Sequence, residues 1–331
     1  MNYDPIVIRQ LLRNEKPILT HGKDLDGLVS AVFAMKMFGK KDSSIIPMDY
    51  GLLNDNHDLK NIIDNKRFLA VLDFEYMGEW TRLYCDHHVS NRGSEMKGDI
   101  ILYDSESPSA AEILAKYLGV SEEKWGAVSR ADSASYASEP PSFKVSEKED
   151  LGSPDYDVAW DYTDLVKNVD NIRQFRNLVL DFYEFYFDDG VDPRFKHINN
   201  IRDARRRRRR TERLTEEIYD IYDNEKVILF LTTNNLNDEV SVRGVIHSLY
   251  EKGLQLGIEA VSTDGGYNYF FGANNDHYDL DLYPLDIASE LGGGGHKMAS
   301  GARASLNELD MVLGDIEYRK IDVREVYRKI I

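Results

Sequence analysis

The sequence predicts an α/β fold: a parallel-sheet domain with helices on both faces, a linker helix, and a smaller C-terminal α/β domain. Two observations carry this. Through the first half, short apolar runs alternate with stretches of helical periodicity, the pattern of βαβ units. Near residue 190 the texture breaks at Asp188-Asp189-Gly190-Val191-Asp192-Pro193, and a basic helical stretch then precedes fresh strands. The expected boundaries are 1–190, 191–224 and 225–331.

In chain order, 17–20 reads as the first strand and 27–38 as a largely buried helix, with Leu28, Val29, Val32, Phe33, Met35 and Met37. Strands follow at 45–46 and 68–72, with a short helix near 59–63 between them, then strands at 83–85 and 100–103. Helices are expected over 109–118, with Ser109 capping and Glu112 completing a capping box, over 122–134, and across 165–187. The Pro- and Ser-rich stretch 138–154 reads as a surface loop. Beyond the basic helix 198–222 come strands at 227–231, 256–261 and 267–271, and a helix at 242–251. Residues 287–291, a glycine run and a helix over 306–316 close the pattern.

At 331 residues the chain is long enough for two cores. The absence of any apolar run of about eighteen residues predicts no membrane span. The N-terminus has no signal-peptide pattern, and the single cysteine, Cys85, fits a reducing cytoplasm and a small buried strand residue. A net charge of −17 argues against gripping long duplex DNA, whose recognition relies on basic surface, and favours a small or short anionic substrate.

The chemistry concentrates at strand ends. His21-Gly22-Lys23-Asp24-Leu25-Asp26-Gly27 follows the first strand, Asp73 closes the run 68–72, and Asp86-His87-His88 follows 83–85. In an open parallel sheet, ligands gather outside the carboxyl ends of the strands, so these groups can converge. Carboxylates and imidazoles delivered from three strands are what a dinuclear site needs. Hard oxygen donors with some imidazole suit Mn²⁺ or Mg²⁺. Two such ions activate water and clamp a phosphoryl group. A lone aspartate after a strand is ordinarily a cap or a turn residue, but a whole set in this arrangement is not accounted for that way.

These motifs resemble the DHH phosphoesterase superfamily, which includes RecJ-type exonucleases, nano-RNases, cyclic-dinucleotide phosphodiesterases and type II pyrophosphatases. Asp24-Leu25-Asp26-Gly27 resembles its first motif, Asp73 the second, Asp86-His87-His88 the third, and Asp132 in Arg130-Ala131-Asp132 the fourth. Gly292-Gly293-Gly294-Gly295-His296, continuing to Ala299-Ser300-Gly301, resembles the signature of the DHH-associated domain, so the resemblance runs the length of the chain. It implies that His21 and Asp24 hold one divalent cation, that Asp73 bridges two, and that Asp26, His87 and Asp132 hold the second. Mn²⁺ is the expected metal, with Mg²⁺ as the alternative. Asp86 would orient a neighbouring ligand or contact metal directly, and His88 would face the substrate phosphate. Asp86, His87 and His88 are thus the expected catalytic set.

For the substrate, Gly293, Gly294, Gly295 and His296 suggest backbone brought close to a ligand across a cleft between domains. Many relatives carry a phosphate-gripping arginine on the preceding strand, but Tyr267-Asn268-Tyr269-Phe270-Phe271-Gly272-Ala273-Asn274-Asn275 has no basic residue. Tyr269 and Phe271 read either as base-stacking groups or as core. Arg205 through Arg210 are six consecutive arginines. Either some of them, Arg205 and Arg209 among them, meet substrate phosphate, or they form a solvated helix paired to Glu212, Glu216 and Glu217. His57 and Asp55, in a polar stretch, receive no role.

The leading expectation is a metal-dependent phosphodiesterase acting on short oligonucleotides or single-stranded nucleic acid, of the nano-RNase or RecJ type. A cyclic-dinucleotide or 3′-phosphoadenosine phosphate hydrolase is the enzymatic alternative, and a non-catalytic RecJ-like assembly subunit the alternative of another class. The sequence does not fix oligomeric state, cleavage polarity or RNA against DNA preference.

Overall fold

The computed structural model describes residues 4–13, 16–39, 44–54, 56–93, 95–133, 135–136, 157–222, 225–233, 236, 239–274 and 278–330. The stretch 138–154 and Asp55 therefore lie outside the described residues. Two compact units emerge, Met1–Ala204 and Arg205–Ile331. The division falls inside the helix Ile198–Tyr222, not on either side of it.

The first unit is built on five strands, β1 Ile18–His21, β2 Ile45–Met48, β3 Arg67–Leu72, β4 Trp80–Asp86 and β5 Gly98–Tyr103. They lie in the order β2-β1-β3-β4-β5, every neighbouring pair parallel. Strands of such a sheet are buried on both faces, and alternate residues divide accordingly. Ile18, Ala70, Leu72, Leu83 and Cys85 join one core with Leu28, Val32, Leu114 and Phe175. Leu19, Val71 and Tyr84 join another with Ile8, Leu59 and Ile63. Helices thus cover both faces, as the alternation implies.

The helix Leu25–Phe38 is buried continuously from Leu25 to Met35, so it is a central helix without a solvent stripe. Asp24 caps its start, and Gly39, at φ 60°, ends it in the left-handed conformation that glycine adopts without strain. Ser109 caps Ala110–Leu118 by accepting from the Glu112 N–H at 3.1 Å. The reciprocal arm of the expected capping box is not made: the Glu112 carboxylate accepts instead from Lys116 and from the Ser129 hydroxyl. The helical stretch expected over 165–187 is two helices, Ala159–Lys167 and Ile172–Phe187. Asn171, whose side chain accepts from the Gln174 N–H at 3.0 Å, starts the second. The stretch expected over 122–134 opens as a 3₁₀ turn and becomes helical at Gly126–Asp132. The helix Pro5–Leu11, started by an Asp4 cap and a proline, was not anticipated.

The second unit carries a mixed sheet of β6 Val227–Thr232, β7 Leu256–Thr263, β8 Gly266–Ala273, β9 Gly294–His296, β10 Ala299–Ala304 and β11 Arg319–Asp322. Their order is β11-β6-β7-β8-β10-β9. The first three strands are parallel and the remaining pairings antiparallel. Val242–Tyr250 and Val323–Ile330 pack with Ile228 and Phe230 on one face; Leu309 and Ile287 pack with Ile258, Tyr269 and Phe271 on the other. Tyr269 and Phe271 are therefore core residues, which removes them as base-stacking candidates. No helix among the described residues is long and apolar enough to cross a membrane.

Candidate metal centre

Strand order reverses between β1 and β3, the place where an open α/β sheet leaves a crevice at its carboxyl edge. His21 ends β1, Asp73 follows β3, and Asp86 ends β4 with His87 and His88 behind it. Asp24 performs two tasks: Oδ1 accepts from the Gly27 N–H at 3.0 Å as a helix cap, while Oδ2 lies 2.5 Å from His21 Nδ1. Gly27 is required here, because a Cβ would stand 2.1 Å from the His21 carbonyl oxygen. Asp26, in the first turn of that helix, accepts from the Ala110 and Ala111 N–H groups, each at 2.7 Å. Asp73 sits at φ 48°, a left-handed conformation that costs a non-glycine residue energy and clusters at functional sites.

Three sets of side chains bring one potential ligand atom each within 4.8 Å of one another: His21 with Asp24 and Asp73, Asp26 with His87 and Asp132, and Asp73 with His87 and His88. His87 Nδ1 lies 3.1 Å from the Ser107 carbonyl, which can only accept, so Nδ1 carries the proton. Its Nε2 faces Asp132 at 3.2 Å, Asp26 at 3.5 Å and Asp73 at 3.6 Å. Asp132 is held at the end of its helix, where the Arg130 fork grips Asp157 at 2.5 and 2.8 Å.

The carboxylates crowd one another inside protein. Burial pushes Asp26 and Asp132 above the usual carboxylate range; the neighbouring Asp73 charge adds to this, and His87 opposes it. Burial would also raise Asp73, but His21, His87 and His88 hold it below its ordinary value. For His87, burial disfavours the cation, yet Asp132, Asp73 and Asp26 push it up to about 12. His21 rises likewise, Asp24 and Asp73 outweighing its burial. Such a cluster asks for positive charge. His21 Nδ1 and Asp73 Oδ2 are buried without an aligned hydrogen bond, which fits a cation between them.

Asp86 stands outside the three sets. Its Oδ2 accepts from Tyr84 at 3.1 Å and from Asn91 at 2.6 Å, and its Oδ1 lies 2.7 Å from His88 Nδ1. Both oxygens are engaged and the residue is fully buried, the geometry of a group that orients its neighbours, the first of the two roles the resemblance implies for it. Tyr84, Asn91 and Ser107 were not anticipated; no periodicity or motif spacing distinguishes them from ordinary strand and loop residues. Cys85 is buried, donates to the Ala110 carbonyl at 3.3 Å, and is pushed up by burial, so it is a packing residue.

In the second unit the glycine run is a strand edge. β9 pairs with β10, Gly294 opposite Gly301 and Gly295 opposite Ser300. A Cβ on Gly293 would lie 2.1 Å from the Gly301 carbonyl oxygen, and Gly295, at φ 138°, would place one 2.7 Å from Ser300 Cα. The close approach these glycines permit is to β10. His296 ends β9. On the helix Ile198–Tyr222, Arg205 lies on the buried stripe with Ile201, Leu214 and Ile218, at 2 % exposure, whereas Arg209 is exposed. Arg210 pairs with Glu239, a partner the local charge pattern did not indicate.

No family model matches the chain, and no curated protein matches it in sequence. Among solved structures it is similar to a pGpG-specific phosphodiesterase, PggH, from Vibrio cholerae, with TM-score 0.53 and 16% identity over 95% of this chain and 99% of that one. It is also similar to RecJ from Thermus thermophilus in complex with Mn²⁺, with TM-score 0.47 and 12% identity over 96% of this chain and 55% of that one, about half the RecJ length. An exopolyphosphatase-related protein from Bacteroides fragilis gives TM-score 0.43 and 14% identity over 98% of this chain and 95% of that one.

Proposed function

We propose that this chain, whose fold is that of the DHH phosphoesterases, is a divalent-metal-dependent phosphodiesterase that hydrolyses short oligonucleotides. The observation that carries the reading is the set of four aspartates and three histidines gathered at the switch point of the parallel sheet. His21, Asp24 and Asp73 would hold one cation, Asp26, His87 and Asp132 a second, with Asp73 shared, and Mn²⁺ is the first choice on donor chemistry. Two bound cations would supply an activated water and offset charge on the phosphoryl centre and leaving oxygen.

The chain's own groups have separable tasks in this reading. Ser107 fixes the His87 tautomer so that Nε2 points at the ligand cluster. Asp86, steadied by Tyr84 and Asn91, holds the His88 ring by Nδ1, so that Nε2 is the atom that would meet a phosphate oxygen. The excess of acidic residues opposes long polyanions and supports a substrate of a few nucleotides. The solved phosphodiesterase of like fold acts on a linear dinucleotide, which supports the same size class. Retention of every expected ligand type weighs against a non-catalytic subunit.

The test is turnover of labelled two- to five-nucleotide RNA and DNA with Mn²⁺, beside His87→Ala, with cyclic dinucleotides and 3′-phosphoadenosine phosphate in the panel. Hydrolysis of the short linear substrates, lost in the variant, supports the proposal. Failure to cleave any phosphate ester with any divalent ion rejects it.

A further inference from the structure

We propose that Arg243 is the phosphate-holding group of a nucleotide site on the sheet of the second unit; the ligand class rests on the function proposed above. Along β8, alternate residues face opposite ways. Tyr269 and Phe271 enter the core, so Phe270 and Asn268 face the other side, with Asn268 exposed. The register sets Phe270 between Glu259 of β7 and Gly301 of β10, and Gly301 beside Gly294 of β9. The helix Val242–Tyr250 packs near β6 and β7 on this face and brings Arg243 to its margin.

Arg243 is braced twice. Its Nε donates to Glu259 Oε2 at 3.1 Å, and its guanidinium lies over the Phe270 ring, 4.3 Å from the centroid. Glu259 is 3 % exposed on a central strand, while the Arg243 side chain remains 61% exposed. An arginine present only to neutralise a buried carboxylate would be drawn in with it. Here one nitrogen is engaged, and the two Nη groups make no hydrogen bond among the described residues. A planar guanidinium locked by stacking and by one charge-assisted bond presents a preorganised fork, the geometry that matches phosphate. Beside Phe270 the register places Gly301 and then Gly294, two positions without a side chain, next to the stacked guanidinium. In a chain of net charge −17, an outward guanidinium with a fixed orientation is a specific complement to an anionic ligand.

The experiment is calorimetric titration of the metal-free full chain with a 5′-phosphorylated dinucleotide, its unphosphorylated counterpart and inorganic phosphate. Because no turnover is required, a chain that binds but never hydrolyses fails only the function proposed above. Wild-type protein should prefer the phosphorylated dinucleotide about 10- to 100-fold, and Arg243→Gln should erase that preference. Arg243→Lys, which keeps charge but not the fork, should recover only part of it, and it carries the test if the glutamine variant does not fold. A preference that survives Arg243→Gln in folded protein, or wild-type protein blind to the 5′-phosphate, overturns the proposal. Inorganic phosphate binding as tightly as the dinucleotide overturns the nucleotide assignment.

Discussion

Asp73→Asn separates a cation site from a merely acidic pocket. Asp73 belongs to two of the three ligand sets and lies 3.6 Å from both His21 Nδ1 and His87 Nε2. Asparagine tolerates the φ of 48° at this position, so the substitution removes charge without a backbone penalty. At about 4 Å and an effective dielectric near 20, one unit of charge interacts with another by about 4 kcal/mol. Losing that attraction weakens a cation about 10³-fold, at 1.4 kcal/mol per decade. Mn²⁺ at about 100 times its dissociation constant stabilises the native state by about 2.7 kcal/mol. For a unit of about 200 residues this raises the melting temperature by roughly 5–10 °C. The variant at the same Mn²⁺ concentration should shift by less than about 1 °C. Melting curves with and without Mn²⁺ decide the matter: an undiminished shift in Asp73→Asn refutes the assignment of Asp73 as a shared ligand.

Three other substitutions or conditions bear on the same centre. Gly27→Ala places a methyl 2.1 Å from the His21 carbonyl, and should lower stability in urea by about 1–3 kcal/mol and shrink the Mn²⁺-induced shift; wild-type behaviour in both would show that the contact relaxes freely. His87, pushed up to about 12 in the metal-free chain, must give up its Nε2 proton to bind a cation, so affinity should rise with pH and binding should release protons; calorimetry in buffers of differing ionisation enthalpy that finds no dependence contradicts this. Asn91→Ala removes the 2.6 Å bond to Asp86 and should cut kcat about 10- to 100-fold while sparing the Mn²⁺-induced shift, whereas an unchanged kcat would assign Asn91 to packing alone.

What could be read from the sequence was what obeys a period or a spacing. The runs ending at His21, Asp73 and Asp86 are buried on both faces, so they stood out as uninterrupted apolar segments before a polar group. The convergence of Asp24, Asp73 and His87 followed from the rule about carboxyl ends. Asn91 could not be found this way, since its place depends on a 3₁₀ turn that folds the loop back on Asp86. The glycine run was legible as a place of close backbone approach, but glycine does not say to what; the approach seen among the described residues is to β10. β11 was missed because only Ile321 of its four residues is buried. Pro5–Leu11 had a legible start in Asp4 and Pro5, but it is only 7 residues long, too short to build an amphipathic stripe.

Asp26 touches peptide donors 84 and 85 positions further along the chain, at the mouth of the helix Ala110–Leu118. That helix end offers partial positive charge, so it pins the carboxylate before any cation arrives. The same oxygen atoms that would grip an ion therefore latch two helices together. Exchanging Asp26 for a stronger donor such as histidine would strip both N–H groups of their acceptor and loosen the scaffold beneath. Ion affinity and architectural integrity are, at this one position, a single inseparable property.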